Sequence, residues 1–202
     1  MASAKFVVFD FDGTLYKGDC TVDFYRFIVT QYPLKMLLLP AMVCYYFLWL
    51  IGVLSTQKFK QFFLSYLNGF TPTKLAELIE KYWNTKSASS FNQSLVEKLN
   101  QHQLAGLTTL VITASPTLLV APLVLNQFNS KCIGTELTYH QNKYVLNGLN
   151  CKGIHKVEAF ESQYGPDALI LEAYSDNKSD KPLFDKAQHA FVIKQGKVIR
   201  LK

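Results

Sequence analysis

At 202 residues, 49% of them apolar and only 18% charged, the chain can bury a full core, which excludes an intrinsically disordered protein and suits one domain with a sizeable insertion or two small ones. Its net charge of +6 is almost wholly lysine, because Arg26 and Arg200 are the only arginines. Such a charge favours diffuse attraction to an anionic membrane surface over bidentate reading of bases, so no nucleic-acid partner is expected. Cys20, Cys44, Cys132 and Cys151 lack any Cys-x-x-Cys spacing, which removes a zinc site or a disulfide framework from consideration and fits a reducing cytosol.

Residues 5–9 read Lys-Phe-Val-Val-Phe, the composition of a buried parallel strand. A strand starting at residue 5 leaves no room for a signal peptide before it. Asp10 and Asp12 then fall at a strand's carboxyl end, where open α/β sheets bind ligands, and Gly13 lets the backbone turn away so that both acids face one crevice. Two acids in that arrangement suggest a nucleophile and an acid/base partner beside a cation.

Residues 22–32 carry helical apolar spacing, closed by Pro33. No charged residue occurs in 36–54, and as a helix this stretch would span about 28 Å, the depth of a bilayer's hydrocarbon core. A single crossing would put Asp10 and Asp12 on one side of the membrane and all later residues on the other, with no second apolar run to bring the chain back. The expectation is therefore a helix or helical hairpin lying in the interface, kinked at Pro40, with Lys35, Lys58 and Lys60 meeting anionic headgroups. The alternative is a helix buried in a helical insertion. Helices are also expected over 57–70, from Pro72 after a Thr71 cap, and around 95–99. Residues 16–88 thus read as a helical cap, and 1–15 with 89–202 as an α/β core.

A second buried strand, 107–112, leads to Thr113, Ala114, Ser115 and Pro116. Ser115 is expected as the N-cap and Pro116 as the first helical residue, which would aim backbone N–H groups and the helix dipole at an anion, with the Thr113 hydroxyl at the same rim. Residues 131–149 read as an antiparallel excursion turning at 141–143. Lys152 and Lys156 flank a helix start, and either could set an ammonium over a carboxylate and phosphate; the four histidines form no ligand cluster. A third strand, 168–173, ends near Asp176 and Asp180. Mg2+ takes hard oxygen ligands and keeps several waters, so Asp10, the Asp12 carbonyl and Asp176 would suffice, with Asp180 hydrogen-bonded behind them. A hairpin about Gln195-Gly196 closes the chain.

Asp10-Phe-Asp-Gly-Thr-Leu15, Val111-Ile-Thr-Ala-Ser-Pro116, the Lys152/Lys156 helix start and Tyr174-Ser-Asp-Asn-Lys-Ser-Asp180, in this order, resemble the haloacid dehalogenase superfamily along the whole chain. The insertion directly after the first motif is similar to the phosphoserine phosphatase branch. Asp19, Phe24-Tyr-Arg26, Cys151-x-Gly153-x-x-Lys156-Val157 and the Thr-Ala-Ser-Pro and Tyr-Ser-Asp segments resemble phosphatidylglycerophosphatase C-like hydrolases. The resemblance implies a Rossmann-like three-layer α/β core with a helical cap and Mg2+-dependent phosphomonoester hydrolysis through an aspartyl phosphate. Asp10 would attack phosphorus, Asp12 would protonate the leaving alcohol and then activate water, and Asp10, Asp12, Asp176 and Asp180 would serve the metal. Thr113, a lysine and the backbone around Gly13, Ala114 and Ser115 would hold the phosphate. Gly-x-x-Lys-Val spacing selects Lys156; the phosphoserine phosphatases, with lysine before glycine, select Lys152. Asp19 stands near a cap glutamate that holds the amine of phosphoserine, yet arginine for its carboxylate is scarce, so a lipid phosphate such as phosphatidylglycerophosphate is the better substrate. A small soluble phosphate ester, or a non-catalytic membrane-associated phosphate-binding protein, are the competing readings. The expected location is the cytoplasm, peripheral at the inner face of the cytoplasmic membrane; the leaving group and the oligomeric state stay open.

Overall fold

The computed structural model describes residues 5–202. Strand β1 (Lys5–Phe9) is central; β2 (Thr108–Pro116) and β3 (Lys131–Thr135) follow on one side, β6 (Leu169–Ser175), β7 (His189–Lys194) and β8 (Lys197–Arg200) on the other. All pairings are parallel except that of β8, which returns antiparallel at the edge. Alternation along β1 explains why both sheet faces are covered. Phe6 and Val8 join Leu110 and Ile112 under α7 (Ile154–Tyr164) and α8 (Lys181–Lys186). Val7 and Phe9 join Val111 on the opposite face, under α5 (Gln93–Leu104) and α6 (Thr117–Phe128). The result is the Rossmann-like three-layer α/β fold expected from the sequence.

Two boundaries differ from the sequence expectation. Strand β2 continues to Pro116 because Pro116 pairs with Thr135 of β3, so α6 begins only at Thr117 and its cap position, Pro116, makes no side-chain cap bond. Ser115 is therefore not an N-cap. Residues 131–135 pair in parallel with β2 as a sheet edge, and only β4 (Leu137–His140) and β5 (Lys143–Leu146) form the antiparallel hairpin, turning at Gln141 and Asn142 with φ of 47° and 61°.

Between β1 and α5 lie α1 (Cys20–Gln31), a 3-10 turn over Pro33–Leu38, α2 (Leu39–Leu50), α3 (Thr56–Phe63) and α4 (Pro72–Asn84). Thr71 caps α4 by accepting from the Lys74 N–H. Pro40 occupies the first turn of α2, where its missing N–H breaks no helical bond; it marks the joint with the 3-10 turn and does not kink the helix. The chain reverses after Leu50, and Trp49 stacks on Phe59 with centroids 5.3 Å apart, closing α2 and α3 into a hairpin. Met42 is the single buried residue of α2. Leu37, Phe47, Ile51 and Val53 are 58–76% exposed, so the hairpin is not buried within the chain. Residues 33–50 are apolar enough, and long enough, to cross a membrane by length and composition.

The rest of the insertion shares its core with the sheet. Phe24, Ile28, Tyr66, Leu78, Tyr82 and Trp83 belong to the same cluster as Val7, Phe9, Val111 and Leu119, and the Trp83 indole donates to the Leu119 carbonyl at 2.7 Å.

Candidate active site

The end of β1 delivers Asp10 into a buried ion cluster. Lys156, on the inward face of α7 with Val157 and Phe160, places its Nζ 2.8 Å from Asp10 Oδ1 and 2.6 Å from Asp180 Oδ2. The Ser175 hydroxyl donates to Asp180 Oδ2 at 2.7 Å and reaches Asp10 Oδ2 at 3.2 Å, while the Phe11 N–H donates to Asp10 Oδ1 at 2.8 Å. Burial raises the pKa of Asp10, opposed by the Lys156 charge. Burial pulls Lys156 down, but Asp10 and Asp180 together outweigh it and hold the ammonium above the ordinary lysine value. Lys152 is exposed and lines the cavity instead. Of the two lysines, only Lys156 meets Asp10.

Asp12 sits in a different environment. Its Oδ1 accepts from the Cys20 N–H at 2.7 Å and its Oδ2 from the Ser115 hydroxyl at 2.5 Å. Burial, reinforced by the nearby Asp19 charge, pushes its pKa up to about 7, which suits a group that must both give and take a proton near neutrality. Asp19 caps α1, accepting from Thr21 and Val22 N–H at 3.0 Å each, and lines the same cavity. Thr113 is buried; its Oγ1 accepts from the Ser115 N–H at 3.0 Å, which shapes the irregular end of β2 around Ala114 and leaves its own O–H to donate. Asp176 is anchored through its N–H to Thr14 Oγ1 at 3.0 Å.

Gly13 has φ of 72°, and a Cβ there would stand 2.2 Å from Asp176 Oδ2. Gly13→Ala is expected to cost about 1–2 kcal/mol in backbone strain alone and to displace Asp176, lowering turnover at least tenfold; thermal melting and steady-state kinetics measure the two parts.

Mg2+ fits this donor set. Asp10 and Asp176 end adjacent strands, and with the Asp12 carbonyl they are hard oxygens of the kind Mg2+ takes alongside several waters. Burial raises the pKa of both carboxyls, and the Lys156 charge opposes the rise in each. Among the described residues no three His, Cys, Asp or Glu side chains group for a metal. Asp180, held by Lys156 and Ser175, stands behind them.

Asp10, Asp12, Thr113, Lys156 and Asp180 floor a cavity of about 880 Å3 whose other wall is apolar, with Leu39, Met42, Val43, Trp49, Phe59 and Phe63 from the α2/α3 hairpin. Lys60, expected to meet headgroups outside, turns inward: its Nζ donates to the Ala114 carbonyl, to Thr135 Oγ1 at 3.1 Å and to Asn150 Oδ1 at 2.6 Å. Sequence reasoning also missed Ser115 as a partner of Asp12 and Ser175 as the link between Asp10 and Asp180. Their hydroxyls beside the motif acids were the only available signal.

Residues 7–185 match the family model described as haloacid dehalogenase-like hydrolase. Protein CicA of Caulobacter vibrioides is 29% identical over 179 residues, covering 86% of this chain and 79% of that protein. A protein of unknown function from Bordetella pertussis Tohama I has the same fold, with a TM-score of 0.81 at 20% identity over 95% of this chain and 91% of its own. A phosphoserine phosphatase solved as a phospho-aspartyl intermediate analogue superposes with a TM-score of 0.61 at 15% identity, covering 95% of this chain and 87% of that one.

Proposed function

Because the chain belongs to the haloacid dehalogenase-like hydrolase family, we propose that it hydrolyses a phosphomonoester through an aspartyl phosphate on Asp10, with a lipid phosphate such as phosphatidylglycerophosphate as substrate. The observation that carries the lipid reading is the continuous cavity joining the Asp10–Lys156 floor to the apolar wall of a hairpin whose outer face is exposed. A headgroup phosphate then meets the acids while the chains stay in apolar surroundings.

In this reaction an Asp10 carboxylate oxygen attacks phosphorus, the ester P–O bond breaks, and the protonated Asp12 carboxyl gives its proton to the departing alkoxide. Water then attacks phosphorus, Asp12 takes back a proton, and inorganic phosphate leaves with the Asp10 carboxylate restored. The phosphoserine phosphatase of like fold, captured as an analogue of a phospho-aspartyl intermediate, accords with this route. Thr113 O–H and the Lys156 ammonium stand ready to hold the phosphoryl oxygens, whose charge must be matched throughout. Mg2+ bound by Asp10, Asp176 and the Asp12 carbonyl would supply further charge neutralisation.

The hairpin lies in the cytoplasmic leaflet without crossing it, since Asp10 and Asp176 work together from opposite sides of the insertion in sequence. Magnesium-dependent release of phosphate from a lipid phosphate in mixed micelles tests the substrate; turnover of soluble esters alone would overturn the lipid reading. Burying Leu37 and Phe47 in lipid is worth roughly 1.5–3 kcal/mol each. The double replacement Leu37→Glu and Phe47→Glu is therefore expected to weaken sedimentation with anionic vesicles at least a hundredfold, and to leave turnover of a soluble aryl phosphate unchanged, because neither side chain lines the cavity.

A further inference from the structure

Two lysine ammonium groups face the cavity from enclosed positions, and their surroundings differ in one respect. Lys156 is neutralised by two carboxylates, at 2.8 and 2.6 Å. Lys60 has its three donors on the Ala114 carbonyl, Thr135 Oγ1 and Asn150 Oδ1, and none of the ion pairs among the described residues includes it. Neutral oxygens satisfy its hydrogen bonds but not its charge. Burial of such a cation is costly until an anion arrives, and burial does pull Lys60 down to about 8, even with Asp12 and Asp19 close enough to oppose the fall. Thr135 and Asn150 are themselves hydrogen-bonded, and the Thr135 hydroxyl also reaches Ala114 O and accepts from the Cys151 N–H. The ammonium is thus held where α3 meets the ends of β2 and β3 and the segment before α7, and an anionic ligand would take the place of one of its neutral acceptors. It projects from α3 between Phe59 and Phe63, which line the apolar wall, so it stands where the polar floor gives way to the apolar part. Lys152, exposed and two residues after Asn150, adds a second positive charge to the same cavity lining.

We propose that Lys60, with Lys152, forms a second anion subsite that reads a negatively charged group lying between the scissile phosphomonoester and the apolar chains of the substrate, a phosphodiester being the chemistry that fits. The proposal rests on the phosphomonoesterase reading for its placement in the substrate, not for its existence. Asp10 and Lys156 receive the terminal phosphate, Lys60 the internal anion, and the hairpin the chains. A lipid carrying a single phosphate would leave Lys60 uncompensated, and the enzyme would discriminate against it.

The test uses the full chain and three ligands: a dihexanoyl glycerol phosphate with one phosphomonoester, a dihexanoyl lipid with a phosphodiester between chains and terminal phosphomonoester, and the deacylated headgroup of the latter. Wild-type kcat/KM is expected to favour the two-anion lipid over the one-anion lipid at least tenfold. Lys60→Met should abolish that preference by lowering kcat/KM on the two-anion lipid alone, while Lys60→Arg retains most of it. Equal falls on both lipids with Lys60→Met would overturn the subsite and leave Lys60 as a support for the end of β2 at Ala114. Retained preference in the deacylated headgroup separates recognition of the anion from recognition of the chains; its loss there would overturn the assignment to Lys60. Calorimetric binding to Asp10→Asn provides the independent arm. If wild-type protein hydrolyses none of the three, the phosphatase reading falls, yet a Lys60-dependent difference in binding between the two lipids would still uphold the subsite, and its absence would still remove it.

Discussion

Asp10→Asn is expected to lower turnover of any substrate by about four orders of magnitude or more, the scale on which loss of a covalent nucleophile acts, while the protein stays folded. An amide keeps the shape of the carboxylate and still accepts from the Phe11 N–H. It removes one of the two carboxylates beside Lys156, but Asp180 at 2.6 Å continues to neutralise the ammonium. Burial already raises the Asp10 pKa, so discarding that charge costs the fold little. Steady-state kinetics beside a thermal melt separate the two effects. Substantial residual turnover would place the nucleophile elsewhere.

Lys156→Met is expected to be damaging on both counts. It strips the phosphoryl site of its enclosed cation and leaves Asp10 and Asp180 facing each other without one, a situation worth about 3–5 kcal/mol for a broken buried pair. The penalty should shrink as pH falls. Burial raises the Asp10 pKa and the ammonium that opposes the rise is gone in the variant; a raised folded-state pKa means stability is present at low pH and lost as pH rises through it. Combining Asp10→Asn with Lys156→Met should restore part of the stability, because one of the two unpaired charges disappears with it; this non-additivity, measured by urea unfolding, is the signature of direct coupling. Lys152→Met, by contrast, should leave stability unchanged, since Lys152 is exposed.

The sheet and its acids were readable because they depend on local pattern. β-Branched and aromatic runs mark β1, β2 and β6, and the acids follow at their ends without any need to know which strand pairs with which. Between Lys156 and Lys152 the sequence offered only the Gly-x-x-Lys-Val spacing; the burial of Lys156 with Val157 and Phe160 on the inner face of α7 came from the structure. Strand β3 was not readable, because parallel pairing with β2 is a long-range choice that the alternating 131–149 pattern cannot express. That same pairing draws Pro116 into β2 and frees Ser115 for Asp12. Lys60 was misplaced for a related reason. A lysine beside aromatic residues on a short helix is ordinarily solvated, and only the meeting of α3 with the ends of β2 and β3 and with Asn150 before α7 supplies the three oxygens that draw it inward. The hairpin's exposure was a property the composition could raise but not decide, since an uncharged helix is equally at home inside a protein.

The shared core of the insertion and the sheet bears on how such chains can be recombined. Phe24, Tyr82 and Trp83 of the insertion pack with Phe9 and Leu119 of the α/β body in one continuous cluster, and Trp83 is tied to Leu119 by a hydrogen bond. An exchange of residues 16–88 between relatives would therefore carry half of an interdigitated interior into a foreign partner. Only α2, with Met42 as its single buried residue, can be traded without that cost, since Lys60 ties α3 to the α/β body. The exposed face of α2 is thus free to change while the surrounding helices remain bound to the sheet.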